Sequence, residues 1–183
     1  MNTYVALVRG INVGGKSLPM KEFVSILDDL GAGDVKTHIQ SGNAVFQSKS
    51  DDAPHLASKI GSEIKKRRGF EPRVLVLRLE DVEEAIAANP FPEAESDHAT
   101  LHLGFLTSVP DDPDFERLES LKKDSERFRL IDRVFYLHVP EGVGRSKLAA
   151  NAERLLGVAM TDRNWRTVRK ITEMAKEVGG MPG

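Results

Sequence analysis

Cysteine is absent from this chain of 183 residues. That absence excludes disulfides, thiolate nucleophiles, zinc–cysteine sites and iron–sulfur clusters together. Long apolar runs are missing as well: the longest uncharged stretches resemble Tyr4 to Val8, far short of the roughly 20 residues that span a bilayer. No membrane span is predicted. Met1 to Val8 lacks a basic start, an apolar core and a small-residue cleavage site, so it does not read as a signal peptide, and the expected location is cytoplasmic. There is no surplus of positive charge. The 26 Lys and Arg against 28 Asp and Glu leave a net charge of −2, whereas a generic nucleic-acid coat carries a marked basic excess. Diagnostic catalytic spacings are also lacking, and no triad or carboxylate pair can be assigned. His98 and His102 lie on an expected strand, where four residues span about 13 Å, too far to share one ion. His38, His55 and His138 have no carboxylate partner at a telling spacing. Neither a metal site nor a cofactor is expected.

What remains is ordinary globular material. Hydrophobic residues make up 40% of the chain, and 15 glycines accompany them, enough for one medium domain or two small ones. The charge is polarised. Glu80 to Glu126 holds 14 acidic and 3 basic residues, while Val143 to Lys170 holds 7 basic and 2 acidic ones. A local positive region in a mildly acidic protein suits an anionic ligand bound at one place.

The periodicity predicts a strand at Thr3–Val8 and a helix at Leu18–Leu30, where Met20, Phe23, Val24, Leu27 and Leu30 recur at spacings of three and four. Val35–Gln40 and Ala44–Gln47 form a hairpin around Ser41-Gly42-Asn43, followed by a helix at Leu56–Arg68 and a strand at Arg73–Leu79. This β-α-β-β-α-β order is the split βαβ, or ferredoxin-like, arrangement. A short helix at Glu80–Ala88 and the Asn89-Pro90-Phe91-Pro92 break precede a second series. Its members are a strand at Thr100–Leu106, a helix at Pro113–Lys123, a hairpin of Arg127–Ile131 and Val134–Val139, and helices at Ser146–Leu156 and Asn164–Val178. The predicted fold is therefore α+β: two ferredoxin-like units with antiparallel sheets, the second ending in an extra C-terminal helix rather than a clear fourth strand. The expected divisions are residues 1–79, a connecting segment 80–98, residues 99–178, and a disordered tail 179–183.

Three constellations could carry chemistry. Gly10-Ile11-Asn12-Val13-Gly14-Gly15-Lys16-Ser17 satisfies G-x-x-x-x-G-K-[ST] between a strand and a helix, the pattern of a loop whose amides cradle phosphate. Its context is unfavourable: the next two strands must be antiparallel, Pro19 removes an amide, and no strand ends in a convincing magnesium-binding carboxylate. A plain connection and an anion-binding loop without hydrolysis remain open. Gly144-Arg145-Ser146-Lys147 places two cations and a hydroxyl at a helix start. Asp162-Arg163-Asn164-Trp165-Arg166 opens the last helix, with Thr161 or Asp162 as its cap and Trp165 as a core anchor beside a basic arc of Arg163, Arg166, Arg169 and Lys170. Each basic group has a plain alternative as solvated surface charge. Lys65-Lys66-Arg67-Arg68 reads as a complement to the dipole at a helix end.

Arg9 to Gly15, Gln40 to Asn43, Gly144 to Leu148 and Arg163 to Val168, in that order along the chain, resemble the bacterial family catalogued as domain of unknown function 1697. The resemblance implies a two-part α+β fold of ferredoxin-like units and no established activity, substrate or cofactor. In that family the residue after Lys16 is often not a hydroxyl, which weakens the phosphate-loop reading. Asp162 stands where a small neutral residue is more usual. Polar, glycine-bearing positions at strand ends and helix starts make sites more often than cores. The expected ligand set is Arg9, Asn12, Gly14, Gly15, Lys16, Ser41, Asn43, Arg145, Ser146, Lys147, Arg163, Asn164 and Arg166, around a phosphate-bearing small molecule or nucleotide in a basic cleft between the two halves. Whether any reaction follows is left open. The alternatives are a nucleic-acid-binding module, for which only Tyr4 and Phe46 could serve as strand aromatics, and a protein-interaction module.

Overall fold

A computed structural model describes residues 1–180 of the chain. Of the tail expected after Val178, residues 181–183 lie outside the described residues, while the Gly179 and Gly180 amides donate to Ala175 O and Glu177 O.

In the first series, β1 (Asn2–Arg9), α1 (Met20–Asp29), β2 (Gly33–His38), β3 (Asn43–Ser48), α2 (Ala53–Arg68) and β4 (Arg73–Arg78) follow one another as expected. They form an antiparallel sheet of order β2-β3-β1-β4. Alternation along β1 sends Tyr4, Ala6 and Val8 to one face, where they join Phe23, Ile26 and Leu27 of α1, Ile60 and Ile64 of α2, and Phe46 in one core. The two helices start differently. The Asp52 carboxylate caps α2 by accepting the His55 amide at 3.0 Å, whereas Pro19 precedes α1 with no side-chain cap.

After α3 (Leu79–Ala87) and a 3₁₀ turn at Pro92–Asp97 come β5 (Leu101–Leu106), α4 (Phe115–Leu121), β6 (Arg127–Ile131), β7 (Val134–His138), α5 (Lys147–Leu156), β8 (Met160–Asn164) and α6 (Trp165–Val178). The second sheet has the order β6-β7-β5-β8, all antiparallel. A fourth strand is therefore present, which corrects the expectation of a helix alone after α5. Thr161 and Asp162 do not cap that helix: residues 161–164 pair with His102 to Phe105 in β5, and the helix starts only at Trp165. An edge strand needs only one neighbour, and polar Met160-Thr161-Asp162-Arg163-Asn164 buries Thr161 without displaying an apolar alternation. Leu106, Phe135 and Leu137 of this sheet pack with Leu118, Leu148, Ala152 and Leu155 under α4 and α5. Burial pushes the Tyr136 hydroxyl up to about 12, and it donates to Ala85 O at 2.6 Å.

By contacts the chain divides into two compact units, Met1–Glu84 with the segment from Lys170 onward, and Ala85–Arg169. α3 and α6 each contribute residues to both. Trp165, Val168, Ile171, Ala175 and Val178 of α6 are buried, the apolar stripe that their spacing demands.

Candidate functional site

In the first unit, the glycine-rich loop leaves β1 and closes on itself. The Asn12 amide nitrogen of the main chain donates to Lys16 O at 2.7 Å and Lys16 N donates to Val13 O at 3.1 Å. The Asn12 side chain donates to Leu18 O at 3.0 Å and Gln40 O at 2.7 Å, and its oxygen accepts from Leu18 N at 2.8 Å. A phosphate cradle needs such amides free and converging, directly ahead of a helix start. Here three are used internally, and α1 begins only at Met20. Hydrolysis of ATP or GTP is therefore not expected, and a magnesium-dependent phosphate-release assay checks it: turnover lost in Lys16→Ala would refute the expectation.

Asn12 ties this loop to the β2–β3 turn, so Asn12, Ser41 and Asn43 come together at the end of the first sheet where β1 stops. Asn43 is wholly buried, and its amide donates to His38 O at 3.0 Å and Ser41 Oγ at 3.1 Å. The two asparagines brace backbone. Arg9, Gly14, Gly15 and Lys16 are exposed around them.

The remaining expected residues belong to the second unit. Ser146 is buried and caps α5, its hydroxyl accepting from Ala149 N at 3.0 Å, while Arg145 and Lys147 on either side are exposed. Asn164 closes β8 and caps α6 by accepting from Thr167 N at 2.9 Å. Arg163 lies in β8 opposite Leu103, so strand alternation turns it to the other face from Asp162 and Asn164. Burial lowers the Arg163 pKa, Asp162 partly offsetting it. β7 ends, β8 ends and β5 begins at one end of this sheet, which brings the starts of α5 and α6 to that end with Arg145, Lys147 and Arg166.

The same end holds a pair that the sequence reading did not find. His102 Nδ1 lies 2.8 Å from Asp162 Oδ2, across β5 and β8. The ring is almost wholly buried, and its Nε2 has no hydrogen-bond partner among the described residues. Burial alone would lower the His102 pKa, but the Asp162 hydrogen bond and charge, with the Ala99 backbone, raise it above the ordinary value. On the opposite face His138 accepts from Arg127 at 3.1 Å, and burial with the Arg127 charge lowers its pKa. Glu126, at the start of β6, is fully buried with Oε1 accepting from Lys123 N at 3.0 Å and Oε2 unpartnered. Among the described residues no three His, Asp or Glu side chains gather as a metal site, and no helix is long and apolar enough to cross a membrane.

A family model described as "Protein of unknown function (DUF1697)" matches residues 1–136. The chain belongs to this family. The conserved bacterial protein SP0830 from Streptococcus pneumoniae has a similar structure: 30% sequence identity, 96% of this chain and 99% of that chain covered, and a TM-score of 0.70. A comparison with curated proteins found no match.

The His102–Asp162 pair in this DUF1697 protein was hidden by the missing strand. Once residues 160–164 are read as a strand completing the second β-α-β-β-α-β, His102 and Asp162 fall on the same face two registers apart, and the pairing follows. Asp162 is the residue that orients the buried imidazole.

Proposed function

We propose that this DUF1697 protein binds a phosphate-bearing small molecule at the end of its second unit where α5 and α6 start. The observation that carries the reading is a contrast between two basic clusters. Around Lys65–Arg68, Lys66 pairs with Glu63, Arg67 with Glu63 and Asp29, and Arg68 with Glu22. Arg145, Lys147, Arg166 and Arg169 are exposed and, among the described residues, none makes an ion pair. Like charges held at one end of a unit repel, and an anion relieves that repulsion. The Lys147 and Leu148 amides at the start of α5 add donors without intrahelical acceptors, the Ala149 amide being taken by Ser146.

Nucleic acid fits less well, because Tyr4 and Phe46 are buried in the first core with ring centroids 5.7 Å apart and cannot stack on bases. The test is thermal unfolding in phosphate or pyrophosphate against chloride at equal ionic strength. At about ten times its dissociation constant, an anion that binds only the folded state adds ~1.4 kcal/mol, or about 3 to 6 °C. Arg145→Ala and Arg166→Ala should each reduce that shift without lowering the unliganded midpoint, since both side chains are exposed and removing one relieves repulsion. Equal midpoints in chloride and phosphate would refute the reading. Tight, steeply salt-dependent binding of single-stranded or duplex nucleic acid would favour the nucleic-acid alternative.

A further inference from the structure

Resting on that reading of the second unit, we propose that His102 Nε2, held in place by Asp162, is a binding group for the same phosphate-class anion. The first ground is an unmet hydrogen bond. Buried polar atoms in folded proteins are nearly always paired, and an orphan calls for a reason. His102 is 6% exposed and its Nε2 has no partner. Rotating the ring would not cure this, because Nδ1 is engaged by Asp162 Oδ2 at 2.8 Å and would itself lose that bond. A carboxylate on one imidazole nitrogen fixes the ring and presents the other nitrogen to a ligand.

The second ground is placement. Alternation along β5 puts His102 on the face that carries Leu106, and its partner across the ladder is Leu137. Leu106 and Leu137 share a core with Leu148 and Ala152 of α5. The imidazole thus faces the side of the sheet that α5 covers, at the end where α5 begins and where Ser146 caps it. Arg145 and Lys147 flank that start. The pairing with Asp162 favours the charged ring, and in that form Nε2 carries a proton and is a charge-assisted donor to a phosphoryl oxygen. Pairing also occupies the Asp162 carboxylate, which would otherwise repel an anion. Nε2 is closed to water in this structure, so phosphate binding there requires a local opening.

The full-length chain, inorganic phosphate as the probe and two independent readouts test this. In long-range 1H–15N spectra of the imidazoles, phosphate should shift the His102 Nε2 resonance, assigned in the wild type through its own ring and backbone, and leave His55 in place. By calorimetry, His102→Gln should weaken phosphate binding about tenfold and Asp162→Asn severalfold; the wild-type spectrum answers the question even if a variant folds poorly. If phosphate binds and Arg145→Ala weakens it, yet the His102 resonance stays still and His102→Gln binds as the wild type does, His102 is no contact while the anion site stands. If phosphate binds nowhere, both readings fall.

Discussion

Gly42→Ala should be strongly destabilising, by about 3 kcal/mol in urea unfolding. Gly42 has φ +89°, and a Cβ there would lie 2.8 Å from Ile11 Cδ1, 2.9 Å from Val8 Cβ and 3.0 Å from Val8 O. Left-handed backbone costs an L-residue about 1 to 2 kcal/mol, and crowding a packed site adds roughly 1 to 3 kcal/mol. Retreat is blocked, because Gly42 O accepts the Val8 amide at 2.8 Å, holding the turn against β1. Gly14→Ala separates the two contributions. Gly14 also has a positive φ, +57°, but nothing stands within 4 Å of its added Cβ, so only the conformational part, about 1 kcal/mol, should appear. Equal losses in the two variants would show that packing against Ile11 and Val8 contributes nothing.

Asp162→Asn should reverse the pH dependence of stability that His102 imposes. The folded-state pKa of His102 is raised above the ordinary histidine value of 6.5. Its contribution is then fully present below pH 6.5 and is lost as pH rises through the folded pKa. Burial opposes the charged ring, and Asp162 overcomes it by hydrogen bond and charge. Asparagine can still accept from Nδ1 but carries no charge, so burial should win and the folded ring should prefer to be neutral. The wild type should therefore lose stability from pH 6 to 8 relative to the variant, and the variant should be about 1 to 2 kcal/mol less stable at pH 6, the scale of a charge-assisted bond. The lower figure is favoured because Asp162 is 41% exposed. Urea titrations across that pH range measure both slopes, and parallel curves for the two proteins would contradict the assignment.

The order of elements was legible because its signals are local. Phe23, Ile26 and Leu27 mark α1 within one turn of spacing, and the Ile131–Val134 register leaves only Asp132 and Arg133 for the β6–β7 turn. The expected dipole role of Lys65–Arg68 is filled out by acids from α1 and α2. The phosphate-loop pattern was discounted for its antiparallel setting, and the Asn12, Lys16 and Leu18 amides prove to be engaged within the loop. β8 escaped because an edge strand of polar residues shows no period, and with it went the face on which Arg163 and Asp162 separate.

Spacing along the chain was enough for the element order apart from β8, the two ferredoxin-like units, the apolar stripe of α6 and the polarity of the charges, because each depends on neighbours a few residues apart. Tertiary structure decided which polar residues are spent and which are available. Asn12 meets Gln40 across 28 residues and His102 meets Asp162 across 60, while Lys66, Arg67 and Arg68 find carboxylates and Arg145, Lys147 and Arg166 find none among the described residues. Hydrogen bonds and ion pairs form over about 3 Å, and only the folded sheet brings such distant positions within that reach.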